Sequence, residues 1–182
     1  MNLREYFGKM KGSTRGSPPR VSNEEIFWSW VGAFLGISVV AGLNRLYFDG
    51  SDLSLMVGSL GASSVLIYGA VRSPLAQPRN LLGGHFLSAI VGVTCWKLFH
   101  NYPWFAEAMA VATSIAIMHA TKTLHPPAAA TALIAVAGSP AIHHAGYLYV
   151  LVPATISPLV LLLVALLVNN IPASRRYPEI WF

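Results

Sequence analysis

The sequence predicts an all-α polytopic membrane protein with about six hydrophobic helical segments. Three observations carry that prediction. Only 10% of the 182 residues are charged and 54% are hydrophobic, whereas a soluble domain carries about 25% charged residues. The apolar residues fall in long uncharged runs, without the alternation that outer-membrane barrel strands need. The cations lie in the loops between those runs, which the positive-inside rule explains. The net charge of +5 is therefore not a nucleic-acid signal. The one cysteine, Cys95, excludes an internal disulfide and reads as a packing residue.

Residues 1–23 form a basic arm with Arg4, Lys9, Lys11, Arg15 and Arg20. Leu3, Tyr6, Phe7 and Met10 are spaced for one helical face that could rest on the bilayer surface. The helical domain is expected over 24–170. Its first segment is Ile26 to Leu46, anchored by Trp28 and Trp30, with Gly32 and Gly36 as a close-contact face. Arg45, Asp49 and Asp52 mark its far end. The second, Leu53 to Val71, holds Gly58-Ser59-Leu60-Gly61-Ala62-Ser63-Ser64. Glycines weaken a helix interior, so a break or a close approach is expected there. A loop, Arg72-Ser73-Pro74-Leu75-Ala76-Gln77-Pro78-Arg79-Asn80, ends in a helix cap at Asn80. The third segment, Leu81 to Phe99, opens with Gly83-Gly84-His85. The fourth, Phe105 to Ala120, carries Glu107 and His119. The fifth, Leu124 to Ala137, opens with His125-Pro126-Pro127 and stops at Ser139-Pro140. The sixth, Tyr147 to Val168, contains Pro153 and Pro158. A short tail, 171–182, carries Arg175 and Arg176.

Six full spans put ten cations on the side of both termini and leave Arg45 and Lys97 opposite. Four spans, with segments two and five broken or short, move Arg72, Arg79 and Lys122 across. The charge bias favours six, with both termini cytoplasmic. Residues Gly61-Ala62-Ser63-Ser64 to Ser73-Pro74 and Pro127-Ala128-Ala129-Ala130 to Ser139-Pro140 align at a constant offset of 66. An inverted three-plus-three repeat would bring the two middle segments together near the midplane.

The chemistry concentrates in those two segments. Two helix amino ends are expected, one in the Gly-Ser stretch and one at Pro126-Pro127. Amino ends attract anions. Backbone N–H groups near Gly58, Gly61 and Ala62, with the hydroxyls of Ser59, Ser63 and Ser64, could replace water around a small inorganic anion. Gln77, Arg79, Asn80, His85, Lys122 and His125 add donors or charge. Glu107 and His119 are the proton-coupling candidates. A metal reading collects His119, His125, His143 and His144, but the six-residue spacing of the first two does not share a helical face, and no carboxylate or cysteine accompanies them. No metal, cofactor or enzymatic activity is expected. The alternative function is a non-transporting scaffold or sensor, which would fill the space between segments two and five with side chains.

At these residues the chain resembles the HPP family of integral membrane proteins, named for the element matched by His125-Pro126-Pro127-Ala128-Ala129-Ala130-Thr131-Ala132. The likeness extends to Gly58 to Ser63, Ser73 to Asn80 and Gly83-Gly84-His85. The resemblance implies four transmembrane helices, as the family is usually described. It also implies nitrite transport, the activity associated with plant and cyanobacterial members. Some bacterial members add a CBS domain; none is expected here. With no transit peptide evident, a bacterial inner (plasma) membrane is expected, with the lipid bilayer and the anion as partners. A dimer or trimer is expected, with Gly32-x-x-x-Gly36 as its interface.

Overall fold

The computed structural model describes residues 2–10, 16, 19–47 and 53–181. Lys11, Arg15, Asp49 and Asp52, which figure in the charge reading, lie outside the described residues. The described chain is all helix and connection. Its helices are α1 Leu3–Lys9, α2 Asn23–Tyr47, α3 Leu53–Gly69, α4 Pro78–Phe99, α5 Pro103–Ala120, α6 Pro126–Ala137, α7 Pro140–Ala145, α8 Leu148–Leu151 and α9 Ile156–Val168. Three stretches are long and apolar enough to cross a bilayer: Asn23–Leu46, Pro78–Phe99 and Leu148–Val168. Helix α6 has 12 residues, about 18 Å at 1.5 Å per residue, against a hydrocarbon thickness of about 30 Å.

Helix starts follow local chemistry. Asn2 caps α1 in a capping box with Glu5, and Leu3, Tyr6, Phe7 and Met10 are exposed, as are the other residues of this helix. Helices α4, α5, α6 and α7 each have proline in the first turn, where its missing N–H costs nothing. The sixth segment is two helices. Val152, extended ahead of Pro153, closes α8, because proline disfavours the helical conformation of the residue before it.

Two expectations are corrected. Helix α3 runs unbroken through Gly58 to Ser64. Ser64 Oγ donates to the carbonyl of Leu60, four residues back, and Ser63 Oγ lies 3.2 Å from that of Ser59, so hydroxyls here close on their own continuous helix. Helix α4 starts at Pro78 with Gln77 as its cap residue, so Asn80 is not the cap.

The helices pack as two trios. One contains α2, α3 and α9; the other contains α4, α5 and α6, which make the most extensive contacts in the molecule. Tyr68 holds the first trio together. Its ring covers Gly32 and Gly36, and its phenol donates to Leu161 O at 3.2 Å. The Gly32/Gly36 face is thus occupied within the chain and is not free to form an interface between copies. In the second trio, Gly92 lets α4 lie against the backbone of α6 at Ala132.

The end of the chain is fastened. Arg175 is buried, forms an ion pair with Glu25 at 2.8 Å, and also donates to Glu25 O, Ser29 Oγ and Asn169 Oδ1. Tyr177 donates to Ala76 O at 2.8 Å, and burial pushes its phenol above the usual range.

Candidate functional site

The polar side chains expected to carry function meet where the trios touch. Ser59 and Ser63, one turn apart on α3, face the second trio. Ser59 Oγ donates to Pro127 O at 2.8 Å and lies 3.1 Å from Thr131 Oγ1. Ser63 Oγ lies 3.0 Å from His85 Nε2 and 2.9 Å from His125 Nε2. His85 Nδ1 is 2.7 Å from Thr131 Oγ1. His125 Nδ1 is 2.8 Å from Leu75 O. The two imidazole centroids are 5.2 Å apart. Ser63, His85, His125 and Thr131 are all 0% exposed, and Ser59 is 2% exposed.

Local sequence explains this convergence. Residues 121–125 are non-helical, yet Thr123 and His125 are buried. Non-helical backbone at membrane depth survives only against protein or in a wet cavity. Gly83 and Gly84 provide the protein. A Cβ on Gly84 would stand 2.8 Å from His125 Cβ and 3.0 Å from Thr123 O. Asn80 Nδ2 donates to Leu124 O and Arg79 Nη2 to Thr121 O, both at 2.8 Å. The strand of chain leading to His125 is therefore clamped from α4 along its length.

The protonation pattern follows from the acceptors. A carbonyl only accepts, so His125 Nδ1 carries its proton toward Leu75 O. Nε2 of the neutral ring then accepts from the Ser63 hydroxyl. Ser63 in turn accepts from His85 Nε2–H, and His85 Nδ1 accepts from Thr131. Ser59 donates to Pro127 O. This leaves Ser59 and Thr131 facing each other without a proton, and theirs is the longest of these contacts.

The amino end of α6 differs from the expected anion cradle. Pro126 and Pro127 have no N–H, and Ala128 N donates to His125 O at 2.9 Å. The continuous α3 leaves no second amino end near Ser59. Free backbone donors are therefore not what this site offers; hydroxyls and imidazoles are.

Other expected site residues stand elsewhere. Gly58 and Ala62 lie on the exposed face of α3, and a Cβ on Gly58 or Gly61 would meet nothing within 4 Å. Ser64 is buried on its own helix. Gln77 braces the loop: its Nε2 donates to Val71 O and Ser73 O, and its Oε1 accepts from Glu179 N and Ile180 N. Lys122 is exposed, at φ 57°. Glu107 is half-buried and His119 exposed, both on α5, and neither hydrogen-bonds to the cluster. His143 stacks on Trp96 at 3.6 Å and His144 bonds to Pro140 O. Among the described residues, no three metal-ligating side chains converge. The sequence reading missed Thr131 as a site residue. Its signal was available: it is one turn beyond Pro127, the only hydroxyl in the apolar run of α6.

Comparison with known proteins agrees with the motifs. The profile of the HPP transmembrane region matches residues 18–178. A transmembrane protein of Dictyostelium discoideum is 44% identical over 181 residues, covering 98% of this chain and 58% of its own length. A second from the same organism is 41% identical over 186 residues, covering 100% of this chain and 65% of its own. The chain thus spans less than two thirds of either relative. No solved structure matches it. With the His-Pro-Pro element seated at the centre of a helical membrane bundle and the profile matched along nearly all its length, the chain belongs to the HPP family of multi-pass membrane proteins.

Proposed function

We propose that this protein transports a small inorganic anion, with nitrite as the preferred substrate, along the seam between the two helix trios. The observation that carries this reading is the Ser63–His85–His125 cluster. Ionisable side chains inside a membrane bundle are expensive and mark substrate or proton paths. Here two imidazoles share one hydroxyl across the seam. Every bond that Ser59 and Ser63 make to the second trio crosses it. Parting the trios would expose Ser59 and Ser63 on one wall and His85, His125 and Thr131 on the other. Those groups can donate three or more hydrogen bonds to a planar monoanion.

The pairing of helices supports an inverted repeat. Contacts α2–α3, α2–α9 and α3–α9 are mirrored by α5–α6, α5–α4 and α6–α4. Exchanging the halves 23–99 and 103–168 reproduces the pattern, with α3 and α6 meeting at the centre. Such a frame suits alternating access by rocking. We read six crossings, with α6 short and entered by the non-helical stretch 121–125, whose Thr123 and His125 are buried, and with both termini on the cytoplasmic side by the cation count.

One observation favours a second reading. The space between α3 and α6 is filled by mutually bonded side chains, the expectation stated for a scaffold. In a transporter this is the occluded, substrate-free seam.

Uptake of nitrite into proteoliposomes, with nitrate and chloride as competitors, separates the two. Transport above empty liposomes, lost in Ser63→Ala, supports the proposal. Correctly inserted protein that moves none of these anions would leave the scaffold.

A further inference from the structure

The geometry points to a one-proton site shared by His85 and His125 and relayed by the Ser63 hydroxyl, so that anion binding takes up one proton. The inference rests on the anion-transport reading above and names what couples to it.

Proton counting carries it. The chain Pro127 O, Ser59, Thr131, His85, Ser63, His125, Leu75 O has six links. The five side chains, with both imidazoles neutral, supply five protons. At least one link is always empty, and Ser63 Oγ has Ser59 O as a further, longer acceptor at 3.2 Å. A sixth proton fills all six, and it can sit on either ring. On His85, both ring nitrogens donate, to Thr131 and to Ser63, while Ser63 donates to His125. On His125, both nitrogens donate, to Leu75 O and to Ser63, while Ser63 donates to His85. The two states interconvert by one concerted step. His85 Nε2 gives its proton to Ser63 Oγ as that hydroxyl's own proton passes to His125 Nε2. Ser63 ends neutral, and the charge has moved from one ring to the other.

The surroundings single out this pair. Tyr149 on α8 donates its phenol to Thr131 O at 2.9 Å, a backbone atom outside the six links. From α5, which carries Glu107 and His119, no side chain bonds to any member of the chain, and none comes from α9. No carboxylate, lysine or arginine pairs with either imidazole among the described residues. The countercharge for the sixth proton, drawn from bulk water, must therefore come from a ligand. A monoanion in the parted seam supplies it, and its arrival and the proton's arrival favour each other.

The test is calorimetric titration of the full chain in detergent with sodium nitrite, repeated in two buffers of different ionisation heat. The apparent enthalpy is expected to change with buffer by an amount equal to one proton taken up per nitrite bound. In protein labelled with nitrogen-15 at histidine, nitrite should shift the ring signals of His85 and His125 together. The signals of His100, His119, His143 and His144 should stay fixed. In Ser63→Ala the two rings should respond separately, one shifting and one not. Nitrite binding with no buffer dependence, or uptake reported by a histidine outside the pair, overturns the shared-proton site while leaving anion binding intact. Absence of nitrite binding in either buffer overturns the anion reading, and the coupling with it.

Discussion

Replacing glycine by alanine at Gly84 and at Gly61 should move stability in opposite directions. Both lie inside helices, α4 and α3. Alanine in a helix interior is worth about 1 kcal/mol over glycine. At Gly61 nothing lies within 4 Å of the new Cβ, so that gain is kept. At Gly84 the Cβ would lie 2.8 Å from His125 Cβ, 3.0 Å from Thr123 O and 3.3 Å from Ala128 Cβ. Carbon atoms pack best at about 3.5–4.0 Å. All three neighbours are backbone or the first side-chain atom, so none can rotate away. The 121–125 strand must retreat by roughly 1 Å, at an overpacking cost of about 1–3 kcal/mol. The net gap between the two variants is about 2 kcal/mol, which corresponds to several degrees of melting temperature at roughly 2–4 °C per kcal/mol for a chain of this size. Melting in detergent, followed by size-exclusion survival after heating, reads it. The same retreat would stretch the bonds from His125 to Ser63 and Leu75, so Gly84→Ala should also lose transport. A Gly84→Ala protein that melts at or above Gly61→Ala would refute the close-approach account of this glycine.

Arg175→Met should destabilise by about 3 kcal/mol, since breaking a buried ion pair by removing one partner costs about 3–5 kcal/mol and Glu25, at 27% exposure, regains some water; a melting temperature equal to the parent's would show the tail to be dispensable. Asn44 is 7% exposed and its Nδ2 has no partner among the described residues. Asn44→Leu should therefore stabilise by about 1–2 kcal/mol by removing an unsatisfied donor, and a lower melting temperature would reveal a partner for that amide. Tyr177→Phe should cost about 1 kcal/mol by leaving the buried Ala76 carbonyl unpaired, again read by melting. Ser63→Ala should abolish nitrite uptake at a stability cost of about 1–2 kcal/mol. It is a cleaner probe than Ser63→Leu, which would overpack a fully buried position.

The hydrophobic segments were legible because burial in lipid demands long apolar runs, and each run is mostly helical where it is described, the sixth interrupted at 152–155. The cluster was half legible. Ser63, His85 and His125 stand out because polar groups are costly at membrane depth. What they bond to did not stand out, because partners come from other segments and from carbonyls, which every residue has. Gln77, Arg79 and Asn80 look like ligand donors in a list of side chains. In the fold each gives a hydrogen bond to a backbone carbonyl, of Val71, Thr121 and Leu124 respectively. The break expected in α3 failed for the same reason: a serine's hydroxyl can be satisfied by the carbonyl one turn back, and spacing alone does not show which acceptor it will take. Gly32 and Gly36 were read correctly as a close-contact face, but a ring 32 residues further along the chain, Tyr68, claimed it.

The distribution of polarity bears on what the seam is for. Within each trio the packing is mainly apolar or made by glycine against backbone. Val40, Leu60, Ile67, Leu161 and Leu162 share one core, and Val91, Ala106, Ala110, Ala132 and Val136 another. The dense buried polar network lies between the trios. Packing alone does not require this: an apolar seam of the same volume would be at least as stable, since buried polar groups seldom outperform well-packed hydrocarbon. A permanent scaffold would gain from the apolar version. A seam that must open to a polar solute cannot be apolar, because its exposed walls would then have nothing to offer the solute when they part. Hydroxyls and imidazoles that bond to each other when closed and to an anion when open keep both states satisfied. On the proposed transport reading, that requirement accounts for the placement of Ser59, Ser63, His85, His125 and Thr131 together at the seam.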